Sequence, residues 1–362
     1  MKTIKINVVD WWNQDIHKNY FLNFLSKKYK ITLCEDPDYL ICSLFGNKHF
    51  EYDCVKIFFT GENFTPDFNL YDYALGFDYI DFEDRYMRYP LWLLHAETLT
   101  VIQEKHKNIS QQDAQRNFCS FVVSNGNNAH RIREEMFDSL SQIDFVASGG
   151  SFKNNIGKRV ENKNDFIKQY KFNIAFENSK TKGYCTEKLF QAFAAKTIPI
   201  YWGWGNEEFV NPKSFVNLDD FGSIQEAIEF IQELQNDDEK YLQMLSEPVF
   251  LIENIQEHYE EKLQKFFDHI FEQPLSECKR VYRIGTREGY FYNQVEWAKY
   301  QETIKGGGGQ STIFSGDLQF SENSKENSQK FCLENSQKDC LTPLNLYPNL
   351  IASREFNLLK SF

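Results

Sequence analysis

No two cysteines in this chain are spaced as CxxC, and the eight present (Cys34, Cys42, Cys54, Cys119, Cys185, Cys278, Cys332 and Cys340) form no tight framework. A zinc ribbon and a disulfide-stapled scaffold are thereby excluded, and the residues read as reduced, mostly buried thiols of a cytoplasmic protein. No apolar run approaches the ~18 residues of a membrane-spanning helix. The N-terminus MKTIKINVVD alternates like a first strand rather than like a secretory leader. Basic residues are outnumbered, 40 against 52, for a formal net charge of −12. That balance argues against general nucleic-acid binding, which needs clustered Lys and Arg, and against passive adsorption to an anionic membrane. GxGxxG, a Walker loop and HExxH are all missing, so nicotinamide, P-loop and zinc-protease chemistry lose support. The seven histidines (His17, His49, His95, His106, His130, His258 and His269) show no ligand spacing. Asp36-Pro37-Asp38 is formally DxD, but its proline and its place after the run Ile31–Cys34 predict a turn.

What is present fits two domains: 362 residues, 41% of them hydrophobic, with 34 Phe, 19 Tyr and 6 Trp. Aromatics in such number suit sugar stacking, but any single one is more often core. Strands are expected at 4–9, 39–45 and 55–59, with a helix over 20–29. The polar stretch 101–117 reads as a crossing between domains. Beyond it, strands are expected at 118–124, 144–147, 172–176 and 197–202, and helices at 131–140, 184–195, 223–235 and 255–271. This alternation is an α/β pattern with parallel sheets. The expected units are 1–117, 118–272 and a helical extension 273–305 that packs back on them. A flexible low-complexity tail follows over 306–362, opening on four glycines and holding the repeat ENSQKFCL/ENSQKDCL.

The chemically informative stretch is KFNIAFENSKTKGYCTEKLFQAFAAKTIPIYWG, residues 171–203. It is a βαβ unit whose first strand ends in Glu177-Asn178-Ser179, where the ligand crevice of an open parallel sheet lies. Thr186 suits the helix N-cap, and the helix start gathers unpaired N–H groups that suit a phosphate. Lys188 in that first turn opposes the helix dipole, a conflict an anionic ligand would relieve.

These residues resemble the donor-binding motif of bacterial, Helicobacter-type α-1,3-fucosyltransferases of glycosyltransferase family 10. The match lies in Phe176-Glu177-Asn178-Ser179, in Tyr184-Cys185-Thr186-Glu187-Lys188 and in Ile198-Pro199-Ile200-Tyr201-Trp202-Gly203. Thr60-Gly61-Glu62-Asn63 with Pro66, Val122-Val123-Ser124-Asn125 with Arg131 and Arg133, and Asn211-Pro212-Lys213-Ser214-Phe215-Val216 extend it over roughly 1–270. The resemblance implies the GT-B fold: two Rossmann-like domains facing a central cleft, acceptor held by the first and GDP-fucose by the second. It implies inverting transfer of L-fucose to O3 of GlcNAc in N-acetyllactosamine or lactose-type glycans, giving Lewis X-type products on lipopolysaccharide O-chains. The alternatives are use of type 1 chains as well, another sugar nucleotide, or a glycan-binding module.

By the same resemblance Glu62 is the base that takes the acceptor proton, and Glu187 faces the oxocarbenium-like sugar. Lys188 and Arg133 meet the leaving diphosphate, with Arg131 a competitor for Arg133. Asn125, Glu177, Asn178, Tyr184 and Thr186 complete the donor site. Trp11, Trp12, Phe64 and His95, with Arg85, are acceptor candidates by composition. No metal is expected to be required, although Mn2+ or Mg2+ could stimulate nucleotide release. The implied location is cytoplasmic, peripheral on the inner face of the inner membrane. Cys185 departs from the family pattern, and as a thiol near the donor it is expected to be open to modification.

Overall fold

The computed structural model describes residues 1–282 apart from 13–14, 105–108, 125 and 127–128. Asn125, most of the expected extension and the whole tail with its repeat lie outside the described residues.

In the first half, strand β1 (Thr3–Val9) leads through α1 (Tyr20–Ser26) to β2 (Lys30–Leu33), then β3 (Tyr39–Cys42) and β4 (Val55–Phe59). Strands β5 (Tyr73–Gly76) and β6 (Tyr86–Arg88) follow, and α2 (Ala96–Gln103) closes the half. All six strands pair in parallel in the order β2-β1-β3-β4-β5-β6. Every residue of β3 and β4 is buried, as continuous apolar runs in a covered parallel sheet require. Asn19 caps α1 by accepting the Leu22 N–H, and Phe21, Leu22, Phe24 and Leu25 form its buried face.

The second half holds β7 (Asn117–Phe121), α3 (Ile132–Leu140), β8 (Val146–Ser148), α4 (Lys163–Ile167), β9 (Tyr170–Ile174), α5 (Glu187–Ala194), β10 (Ile198–Tyr201) and β11 (Val216–Asn217). Its parallel sheet runs β11-β10-β9-β7-β8. The strand order turns round between β7 and β9 here and between β1 and β3 in the first sheet. Each such point opens a crevice at the carboxyl ends of the strands.

Helices α6 (Ile224–Asn236) and α7 (Asp238–Ser246) cover the second sheet, but α8 (Ile255–Glu272) crosses to the first. Phe267 meets Phe21 with ring centroids 6.0 Å apart, and Phe271 meets Tyr39 at 4.7 Å. The stretch 118–272 therefore gives its last helix to the first half. Residues 279–281 follow it there: Lys279 donates to the Cys54 carbonyl, and the Arg280 and Val281 N–H groups donate to Asp72 Oδ1. One apolar core joins α1, β1, β3, β4, Trp92, α2, α5 and α8, so both halves belong to one unit. Trp92 stacks on Phe190 of α5 at 4.4 Å. Among the described residues no helix is long and apolar enough to cross a membrane.

Candidate active site

Strand β9 ends against β7, and the chain beyond it carries Glu177 into the interior, where the residue is fully buried. A carboxylate so placed must have donors around it. Glu177 Oε1 accepts the Thr186 N–H at 2.7 Å and the Thr186 hydroxyl at 2.8 Å, while Oε2 accepts Lys188 Nζ at 2.9 Å. Thr186 caps α5 as expected, its hydroxyl accepting the Lys188 N–H. The conflict between Lys188 and the helix dipole is thus relieved inside the protein, by Glu177. Glu177 organises the start of α5 and does not line the neighbouring cavity.

That cavity lies at the carboxyl ends of β7 and β9, at the switch point of the second sheet. Val122, Val123, Ser124, Arg133, Lys163, Phe176, Asn178 and Lys188 are among its walls. Arg133, on α3, is buried and donates to the Phe176 carbonyl and to Asn178 Oδ1, both at 2.8 Å. Arg131 sits at the exposed N-cap of α3 and is not among the lining residues. Position in the fold thus separates two arginines that spacing could not. Lys163, from α4, is the cavity cation that sequence reasoning missed. Its polar surroundings, NKNDF, look like any solvated helix start, and only the packing of α4 beside α5 brings it in.

Glu62 follows β4 on an exposed loop of the first half, with its N–H bonded to Thr60 Oγ1. Its carboxyl is pushed above the ordinary glutamate range, first by desolvation, with Lys188 opposing and Glu187 and Glu177 adding to the rise. Those three belong to the second half, so Glu62 looks across onto the start of α5. Asn63 fixes the approach: its side-chain amide donates to Ser179 Oγ at 2.7 Å and Thr181 Oγ1 at 2.8 Å. Glu187 feels the desolvation of its site, yet Lys188, Lys163, its own N–H and His95 outweigh this and hold it below the usual carboxylate range. The two carboxyls thus carry opposite shifts, Glu62 raised and Glu187 lowered.

Tyr184 is buried, its ring edge-on to Phe77 of the first half at 5.1 Å. The preceding Gly183 has φ +87°, and a Cβ there would lie 2.4 Å from the Phe77 carbonyl, so only glycine permits this closeness. Arg88 donates to both carboxylate oxygens of Glu207, at 2.8 and 2.7 Å, and ties β6 to the second half.

Trp11 and Trp12 follow β1 at the switch point of the first sheet. Their rings stack at 4.4 Å, and Trp11 also stacks on Phe59, at the end of β4, at 5.6 Å. Trp12 and Phe64 remain 44% and 46% exposed, enough to offer a ring face to a sugar. His95, exposed, lies within electrostatic reach of Glu187. Arg85 Nε donates to the Asp72 carbonyl and Nη2 to those of Phe68 and Tyr71, which ties it within the first half. Cys185 is sealed in the core at 1% exposure and burial pushes its thiol well up, so the expected modification lacks both access and thiolate. Asp36-Pro37-Asp38 forms the bend before β3, and among the described residues no group of His, Cys, Asp or Glu could hold a metal ion.

Two parallel sheets of this topology, with an anion-suited cavity at one switch point and aromatics at the other, define the GT-B class. Comparison with known proteins gives the family. Residues 6–95 match the family model for the α-(1,3)-fucosyltransferase FucT N-terminal domain, and residues 112–247 that for the C-terminal part of glycosyltransferase family 10 (fucosyltransferase). The chain is similar to α-(1,3)-fucosyltransferase FucT of Helicobacter pylori, 41% identical over 288 residues, which are 67% of this chain and 60% of that protein. The mouse 4-galactosyl-N-acetylglucosaminide 3-α-L-fucosyltransferase 9 is 31% identical over 179 residues, 48% of this chain and 47% of the relative. A crystal structure of an α1,3-fucosyltransferase with GDP-fucose superposes with TM-score 0.64 at 36% identity, covering 75% of this chain and 92% of that one. The chain belongs to the glycosyltransferase family 10 fucosyltransferases. It spans three fifths or less of the length of these two curated relatives.

Proposed function

We propose that this protein transfers L-fucose from GDP-β-L-fucose, with inversion, to O3 of GlcNAc in N-acetyllactosamine-type glycans. The observation that carries the reading is the loop of Glu62 reaching the second half, where Asn63 donates to Ser179 Oγ and Thr181 Oγ1. In the reaction Glu62 takes the O3 proton as that oxygen forms its bond to the anomeric carbon of fucose. The bond from that carbon to the β-phosphate oxygen breaks, and the electron pair leaves with GDP. Lys188 and Arg133 neutralise the departing diphosphate, and Glu187 offsets the positive charge developing on the sugar. Asn178 is on the cavity wall of the donor side, Tyr184 and Asn125 are assigned to the donor by the motif resemblance alone, and Glu177 and Thr186 hold Lys188 in place. Trp11, Trp12, Phe64 and His95 form the acceptor side. The mouse relative's name as a 4-galactosyl-N-acetylglucosaminide 3-α-L-fucosyltransferase supports the type 2 acceptor. The proposed setting is lipopolysaccharide O-chain decoration at the cytoplasmic face of the inner membrane, without a required metal and with Mn2+ or Mg2+ stimulating nucleotide release.

The test is incubation with GDP-fucose and N-acetyllactosamine, with product mass and linkage read in EDTA and in Mn2+. A 1,3-fucosylated trisaccharide formed in both is expected, faster with Mn2+. GDP release without a glycan product would move the acceptor assignment. No turnover together with glycan binding would favour a binding module.

A further inference from the structure

Among the described residues, three cationic side chains line the cavity at the β7/β9 switch point, Arg133, Lys163 and Lys188, and no carboxylate does. Two of the cations have anionic or carbonyl partners. Lys188 bonds Glu177, and Arg133 bonds the Phe176 carbonyl and Asn178 Oδ1. Lys163 differs. Its ammonium donates at 2.7 Å to the neutral Gln191 Oε1, one turn of α5 beyond Glu187, and among the described residues it is in no salt bridge within 4.0 Å. An ammonium has three protons to donate, so a single neutral acceptor leaves donor capacity for a ligand in the cavity that Lys163 lines. Burial pushes this amine below the usual lysine range, with Glu187 and Glu177 opposing and Lys188 and Arg133 reinforcing the shift. A cation held out of water beside two others gains from a further anion in the cavity.

We propose that Lys163 is a donor-binding residue: held by Gln191, it makes a third cationic contact, beside Arg133 and Lys188, with the diphosphate of the bound nucleotide sugar. The inference rests on the donor reading above and adds a contact to it. A diphosphate carries more negative charge than Arg133 and Lys188 alone would balance, since Lys188 already faces Glu177. Gln191 is a positioning residue, because its carbonyl aims the ammonium without touching the ligand.

The test measures equilibrium binding of GDP, guanosine and inorganic pyrophosphate to the full chain and to Lys163→Met, Lys163→Arg and Gln191→Leu, with a melting curve for each. Losing one charge-assisted contact is expected to weaken GDP and pyrophosphate by about 10–100-fold in Lys163→Met, with guanosine unchanged. Lys163→Arg should stay close to the parent, and Gln191→Leu should fall between them with the same selectivity for phosphate-bearing ligands. Should Lys163→Met fail to fold, the Gln191→Leu ratio of GDP to guanosine decides. Equal losses for GDP and guanosine, or unchanged GDP affinity in Lys163→Met, overturn the proposal. Lys163-dependent binding of pyrophosphate without binding of GDP would sink the guanine-nucleotide reading and leave the Lys163 contact standing. A parent protein that binds neither overturns both.

Discussion

As the proposed base, Glu62 would have to be ionised, yet desolvation and the carboxylates of Glu187 and Glu177 make ionisation harder in the folded protein. Two consequences differ in sign. Activity should rise with pH along a limb lying above the ordinary glutamate range, because only the carboxylate accepts the acceptor proton. Stability runs the other way. A carboxyl whose folded pKa is raised binds its proton more tightly when folded, so its contribution falls as pH rises through the unfolded and then the folded value. Replacing Glu62 by Gln removes the charge and keeps the shape. We expect Glu62→Gln to lower kcat by about 10²–10⁴ with GDP affinity retained, and to melt slightly higher than the parent at pH 7 but not at pH 4. Rate profiles and melting curves at both pH values check this. A variant that kept its turnover would remove Glu62 from the role of base.

At the scale of elements, the Arg88–Glu207 ion pair ties β6 of the first half to the second. Glu207 has no side-chain exposure and Arg88 little, so each is costly to leave alone. Arg88→Met should destabilise by about 3–5 kcal/mol because it strands the Glu207 charge, whereas Arg88→Met with Glu207→Gln should recover much of that loss. Denaturant unfolding of both variants measures the difference, and equal destabilisation by the two would refute it. Neither partner was visible as a pair in the sequence, where 119 residues separate them. What could be read there was whatever local physics decides. The alternation of β1 and the apolar runs of β3, β4 and β10 announce strands, and Thr186 before an amphipathic stretch announces α5. β2, β5 and β6 escaped notice because short strands such as YALG and YMR carry too few apolar residues to show a period. The donor motif was legible because strand-end polar residues and a helix start lie together in sequence. Lys163 was not, since its burial comes from α4 packing beside α5. The separation of Arg133 from Arg131 likewise needed the wall that Asn178 and Phe176 provide.

For the whole molecule, the decisive feature is that α5 serves both halves. Its start carries Thr186, Glu187 and Lys188, while Leu189, Phe190 and Phe193 enter the core shared with Trp92, α2 and α8. Helix α8 then returns the chain to the first sheet, where Phe267 and Phe271 pack on Phe21 and Tyr39. A cut between the sheets would therefore strip the first half of part of its own core. The halves are expected to unfold together. Because a nucleotide that binds α5 and its neighbours stabilises the state in which that shared core is intact, its effect should reach both sheets. GDP at about 100 times its Kd adds about 2.7 kcal/mol, and for a unit of this size that moves the melting temperature by roughly 5 °C. Calorimetry should show one endotherm that shifts as a whole with GDP and stays put with UDP. Two endotherms, of which GDP moved only one, would mean that the shared core does not couple the halves and that the acceptor and donor sides are assembled independently.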